Sequence, residues 1–298
     1  MSRLRELLES GQQVFTAEFP VIDGANMAKV ERAAARFRPW FDAVNATDNP
    51  AANAHASNVA SAIAMKMHGI EPIMQIVCRD KNRLAIQADL SGAALHGITN
   101  VSMLTGDDVT AGDEPESRRV FDVDGPIAIG IAKTLRNGTY LSGRKLDPAP
   151  DYFIGAVENP GAPPFEYRVE RVAKKVAAGA QFLQLQICYH PDRLEKFMRG
   201  CVAAGYRIPI IPTIVLVKSA RPLQFMHDKV PGIDIPQGTL DRVANAGDQA
   251  EAAYQLVLEQ AQHALSLPGV RGLHVTDFRN DDTLDRLMTD LGRSPRNH

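Results

Sequence analysis

Cysteine is scarce in this chain of 298 residues: Cys78, Cys188 and Cys201 are the whole supply, and no CxxC pair occurs. That excludes a disulfide framework and makes a reducing cytoplasm the default compartment. Cys78 ends an apolar run and Cys188 lies near another, so buried, inert thiols are expected. Charge of one sign is also lacking. With 33 Lys and Arg against 35 Asp and Glu, the net charge of −2 gives neither nucleic acid nor an anionic membrane a footprint. No apolar run approaches the roughly 20 residues that cross a bilayer. The N-terminal MSRLRELLESGQQ has one short amphipathic turn and no signal-peptide core. The eight histidines show no HxH or HExxH spacing, so no metal site is expected. His274, inside an apolar run, reads as a satisfied core histidine. No GxSxG elbow supports a serine hydrolase.

What the chain does have is alternation. Short runs rich in β-branched or aromatic residues recur at 14–18, 41–46, 72–77, 99–104, 152–157, 181–186, 208–214 and 272–277. Such runs suit buried parallel strands. Amphipathic helices lie between them, for example at 26–37 and 168–179, with Gly97 and Gly179 as C-caps. Eight strands with intervening helices predict a single-domain α/β fold over residues 1–298, a (β/α)8 TIM barrel. AEFPVIDGAN after the first strand lacks the glycine spacing of a Rossmann fold. The N-terminal turn is expected as a helix at the barrel's mouth or bottom. Two connections are long. Residues 105–151, after strand four, are rich in Gly and Pro, contain a helix near 123–136, and suit a binding surface or lid. Residues 230–248 precede a long helix at 249–266.

Barrel enzymes carry their chemistry at the C-terminal strand ends. Those ends bring Glu18; Thr47-Asp48-Asn49-Pro50; Cys78-Arg79-Asp80-Lys81-Asn82; and Thr105-Gly106-Asp107-Asp108. The later strands bring Glu158-Asn159-Pro160, Gln184 with Gln186, and Asp277-Phe278-Arg279. A single Asp or Asn at such a junction most often caps a helix. So many polar groups at one mouth favour a polar ligand, anionic or heterocyclic. Glu18 and Asp107 are also the pair a glycosidase could use, but one Trp leaves little to stack on a sugar.

The segments AEFP, VNATDNP, LTGDD and KKVAAGAQFLQLQ stand in register at successive strand ends, from about Phe15 to Val275. In this they resemble methylenetetrahydrofolate reductases, barrel flavoenzymes that turn 5,10-methylenetetrahydrofolate into 5-methyltetrahydrofolate. CRDKNR and VPGIDIP place the resemblance nearest the single-domain bacterial branch. It implies FAD as cofactor, NAD(P)H as co-substrate and a folate as substrate, the flavin being reduced before the folate stacks on it. It implies Glu18 as general acid: opening the folate's five-membered ring needs a proton on the departing nitrogen, which a buried carboxyl can supply. Asp107 would stabilise the resulting iminium and tune the flavin. The implied cofactor contacts are Thr47, Gln75, Thr105, Gly106, Asp107, Phe121, Ala156 and Lys175. Among them Gly106 permits close backbone approach and Lys175 reaches the phosphate or ribose. The implied substrate contacts are Glu18, Gln186, Tyr189 and Phe278, the amide of Gln186 suiting a pterin edge that both donates and accepts.

The chain also departs from the family. Glu18-Phe19-Pro20-Val21 stands where two aromatics and two prolines are common, and Gln75 stands where well-known members carry a histidine against the flavin. Ile187-Cys188-Tyr189-His190 replaces an aromatic run, and Arg279 lies one place early. These positions border the flavin pocket. A flavin-free relative passing hydride directly from NAD(P)H to folate therefore stays open, as does a folate- or flavin-binding subunit of a larger complex. A homo-oligomer is compatible with the helix faces, whose apolarity does not separate dimer from tetramer.

Overall fold

In the computed structural model, which describes residues 1–296, nine parallel strands form one sheet in the order β7-β6-β5-β4-β3-β2-β1-β9-β8. They are β1 (Val14–Glu18), β2 (Ala43–Ala46), β3 (Pro72–Val77), β4 (Asn100–Leu104), β5 (Phe153–Glu158) and β6 (Phe182–Leu185). β7 (Ile210–Ile211), β8 (Thr213–Leu216) and β9 (Gly272–Asp277) complete the sheet. The seventh expected strand, 208–214, is thus two short pieces. Pro212 divides them: it has no N–H to donate, so the ladder to β6 stops at Ile211 and pairing resumes on β9. Its carbonyl still accepts from the His274 N–H at 2.8 Å, and a bridge joins Ile210 to Val270. β7 and β8 therefore share one stave, and the barrel is nearly closed.

Eleven helices accompany the strands among the described residues. α1 (Arg3–Glu9) precedes the sheet, and α2 (Met27–Phe37), α3 (Asn58–Met67), α4 (Arg83–Leu95) and α5 (Gly125–Arg136) follow β1 to β4. α6 (Phe165–Ala178) and α7 (Pro191–Ala203) follow β5 and β6. After β8 come α8 (Ala220–Lys229), α9 (Gln237–Ala244) and α10 (Gln249–Ser266), and α11 (Thr283–Asp290) follows β9. Junction residues act as caps: Asn82 accepts from the N–H groups of Leu84 and Ala85, and Asp124 from that of Ile127.

Strand alternation separates two cores. Phe15, Ala17, Val44, Met74, Ile76, Val101, Ile154 and Ala156 face outward and pack under the helices. Val14, Ala43, Ile73, Phe153, Phe182 and Ile211 face inward at the strand starts, where Leu4 and Leu8 of α1 close them off. The N-terminal helix therefore plugs the bottom of the barrel, held by Glu71 accepting from the Arg3 and Leu4 N–H groups at 3.0 and 2.9 Å.

Candidate functional site at the barrel mouth

Above that apolar plug the barrel interior turns polar. Thr16, Asn45, Gln184 and His274 are all buried and bonded to one another. Gln184 and Asn45 exchange amide hydrogen bonds of 3.1 and 3.2 Å, while Nδ1 of His274 lies 2.9 Å from Thr16 Oγ1 and 3.1 Å from Gln184 Nε2. Burial pushes the His274 imidazole down to about 3, so it stays neutral. The histidine is the satisfied barrel residue expected of it.

Glu18 stands two residues beyond Thr16 on β1, paired with Asn45 across the β1–β2 ladder. It keeps part of its surface at the mouth, yet protein crowds its carboxyl, and desolvation alone pushes it up to about 7. Among the described residues no side chain bonds or ion-pairs with it. An ionised carboxylate without partners is disfavoured there, and a protonated one has a hydrogen to give. Thr47 and Gln75 continue the inward faces of β2 and β3, Thr47 half-buried and Gln75 buried. Register Ala17↔Val275 brings the exit of β9 beside Glu18, and Phe278 emerges there with 60% of its surface exposed. Gln186, just past β6, is exposed on the inward side and accepts from the Ile187 N–H at 3.0 Å. Asp107 lies exposed after β4, three strands round from Glu18. The buried Arg79 is held charged first by its bond to Asp80 and further by Asp48 and Asp107.

The exit of β3 is sealed. Arg79 donates to the Asn49 carbonyl at 3.0 Å and accepts, through its own carbonyl, the Val120 N–H at 2.9 Å. Over it the loops after β2 and β4 clasp each other: Asp113 accepts from the Ala54 N–H at 3.1 Å, and a Cβ on Gly112 would lie 1.9 Å from the Ala52 carbonyl oxygen. Only glycine permits that approach. Gly106 has φ +92°, and a Cβ there would fall 2.4 Å from Val77 Cγ1, so glycine serves the chain's own packing. The Thr105 hydroxyl accepts from the Gly125 N–H at 3.1 Å and caps α5. Phe121 sits in the same loop with φ 37° and an exposed ring.

Three expected contacts lie elsewhere than the resemblance implies. Ala156 faces outward and is fully buried under the helices, because strand parity puts Gly155, not Ala156, toward the interior. Lys175 neither meets solvent nor stands free for a phosphate: its ammonium is buried, bonded to the Val157 carbonyl at 2.5 Å and to the Glu158 carboxylate. Arg168 and Arg171 reach the same carboxylate at 3.2 and 3.1 Å. Burial alone would raise the Glu158 carboxyl, but Lys175, the Asn159 N–H and Arg171 together hold it below the usual carboxylate range. Tyr189 is buried in a second core with Ile187, Val215, Val217, Ile233 and Ile235 beneath the outer loops, not at the mouth surface.

This open mouth, with one unpaired, proton-holding carboxyl among amides and an aromatic, can be set beside known proteins. A profile described as methylenetetrahydrofolate reductase matches residues 3–292. The chain belongs to the methylenetetrahydrofolate reductase family. It is 24% identical over 304 residues to "Probable methylenetetrahydrofolate reductase (NADPH)" of Caenorhabditis elegans, covering 97% of this chain and 44% of that protein. It is 24% identical over 313 residues to "Methylenetetrahydrofolate reductase (NADH) 1" of Arabidopsis thaliana, covering 98% and 50%. The chain thus spans about half the length of the curated relatives it matches. Among solved structures, an uncharacterized Clostridium thermocellum protein that binds two copies of 5-methyl-5,6,7,8-tetrahydrofolic acid superposes with TM-score 0.70 at 15% identity, covering 97% of each chain. That likeness shows the fold alone.

Sequence reasoning missed Glu158 as the hub of a buried charge cluster and Gln184 as the centre of the barrel's polar layer. Strand parity was the available signal. Counting inward from Phe153 assigns Gly155 and Val157 to the interior and Glu158 to the helix side.

Proposed function

We propose that this chain reduces the methylene bridge of 5,10-methylenetetrahydrofolate to the methyl group of 5-methyltetrahydrofolate, with a reduced nicotinamide nucleotide as the source of hydride. The observation that carries this reading is the unpaired Glu18 carboxyl, raised to about 7 at the barrel mouth of a family member. Glu18 delivers its proton to N10 as the bond from N10 to the bridging carbon breaks. The bridge becomes an iminium on N5, and hydride arriving at its carbon leaves a methyl group. The positive charge of that intermediate suits the Asp107 carboxylate, exposed on the same mouth. Gln186 offers its free amide N–H groups to the pterin edge, and Phe278 offers a ring face to the flat substrate. The folate named for the Clostridium structure is in keeping with such a ligand on this fold. Relatives are named for NADH and for NADPH alike.

Three of the eight residues implied for a flavin dinucleotide fit it poorly: Lys175 is spent on Glu158, the Thr105 hydroxyl caps α5, and Ala156 lies behind the sheet. Incubating the purified chain with 5,10-methylenetetrahydrofolate and NADH or NADPH should yield 5-methyltetrahydrofolate. A chain that binds folate yet forms no product with either donor, with or without added FAD, overturns the catalytic reading in favour of a binding subunit.

A further inference from the structure

Two independent features of the mouth bear on how hydride reaches the folate. The first is electrostatic. A dinucleotide cofactor that stays bound between turnovers is held at its diphosphate by cations or by the N–H groups of a helix N-terminus, and the resemblance assigns that part here to a lysine on α6. The cations that α6 turns toward β5, Lys175, Arg168 and Arg171, already converge on the Glu158 carboxylate, which is itself buried. Two further acceptors, the carbonyls of Ala162 and Pro163, take the remaining donors of Arg168 at 2.7 and 2.6 Å. Glu158 thus occupies the counter-ion position within the protein. A diphosphate placed there would sit against a buried carboxylate of its own sign, with Lys175 unavailable to it. The second feature is steric. The arc from β2 to β4, which carries Thr47, Gln75 and Gly106, lies beside the clasp between Ala52–Ala54 and Gly112–Asp113. That clasp brings backbone against backbone over the β3 exit, beside the residues that the resemblance implies for the flavin.

Resting on the reductase reading above, we infer that this chain carries no resident flavin and transfers hydride directly from the dihydronicotinamide to the folate inside one ternary complex. The balance is complete without another carrier. C4 of the dihydronicotinamide loses a hydride and is oxidised to the pyridinium. The bridging carbon gains that hydride and its bond to N10 breaks. N10 takes the proton held by Glu18, which is replaced from solvent.

The experiment uses the full chain as purified. Denaturing it and recording the visible spectrum of the supernatant should show no flavin, and titrating the native chain with FAD should leave FAD fluorescence unquenched. Initial rates with both substrates varied should give intersecting lines. Dihydronicotinamide carrying deuterium on both faces of C4 should place one deuterium in the product methyl group, at the same rate with and without FAD. Stoichiometric flavin in the supernatant, saturable quenching of FAD, or parallel rate lines overturns the inference while leaving the reductase reading intact. Absence of product under every condition removes the reductase reading first and this inference with it. Glu158→Ala provides a gain-of-binding arm, since freeing Lys175 and Arg171 should let the variant quench FAD where the parent does not. Should that variant not fold, the measurements on the parent chain decide the question alone.

Discussion

Replacing Glu18 by Gln should make the protein more stable and less active, and the gain in stability should depend on pH in a way set by the structure. The carboxyl rises from an ordinary 4.5 to about 7 through desolvation alone. Between these two values the folded state holds a proton that the unfolded chain has released, so stability falls as pH rises through the window. Below about 4.5 both states are protonated and the carboxyl adds no penalty. Above about 7 the folded state carries the full penalty of an ionised group crowded by protein, which corresponds to about 3 kcal/mol. Glutamine keeps the shape and never ionises. Urea unfolding of parent and Glu18→Gln should therefore coincide near pH 4.5 and diverge by up to about 3 kcal/mol in favour of the variant at pH 8. The same substitution should lower methylenetetrahydrofolate reduction by about 10²- to 10⁴-fold, the usual worth of a positioned general acid. The parent's rate should fall as pH rises through 7, where the acid form is lost. A variant no more stable than the parent at pH 8 would refute the reasoning, because the carboxylate would then be solvated or paired and would have no cause to hold its proton at neutral pH.

Other substitutions probe the surroundings of the site. Glu158→Ala leaves Lys175, Arg168 and Arg171 without their shared counter-charge and should cost about 3–5 kcal/mol in denaturant unfolding; adding Lys175→Met should recover part of it. Gly106→Ala forces a side chain onto a backbone at φ +92° and onto Val77, so a loss of about 1–3 kcal/mol is expected, with lowered turnover as Asp107 shifts. An unchanged unfolding curve would mean that the loop relaxes freely. His274 works in the opposite sense to Glu18. Its imidazole falls from 6.5 to about 3 on burial, so across that window the unfolded state binds the extra proton and stability is lost as pH falls. His274→Gln should flatten the acid limb of a stability-against-pH curve, and a limb of unchanged slope would assign it to other groups.

The barrel was legible because its cause is local. Each stave is a run of β-branched or aromatic residues short enough to be a strand, and each return helix shows an apolar stripe, so α2, α6 and α10 begin within three residues of expectation. Pro212 was visible too. Its missing N–H turned one expected strand into β7 and β8, a consequence that follows only when the partners on both sides are known. Glu18 was legible for the same local reason: it ends β1 on the inward parity, and nothing long-range had to be assumed to place it at the mouth. Its raised pKa was expected from burial, whereas its lack of a bonding or ion-pair partner among the described residues could not be, because a partner could have come from any of the loops.

Lys175 shows the opposite case, and it explains why a family motif transfers position more faithfully than role. The motif fixes the lysine's place on α6, one helical turn before Gly179, and the structure keeps it there. What that ammonium does depends on which anion lies nearest, and Glu158 is 17 positions away in sequence but within bonding distance in space. A buried cation takes the anion that is already desolvated beside it, since parting the pair to admit a ligand would leave one charge unmatched. One carboxylate at the outward end of β5 is therefore enough to hold within the fold the lysine that the resemblance assigns to a phosphate or ribose. Glu18, proposed as the general acid, needs only crowding and access to the mouth and has no part in that pairing. The proposed proton delivery from β1 is thus separable from the proposed route of the hydride, and the two can be tested apart: Glu18→Gln addresses the proton, and the spectrum of the purified chain addresses the hydride carrier.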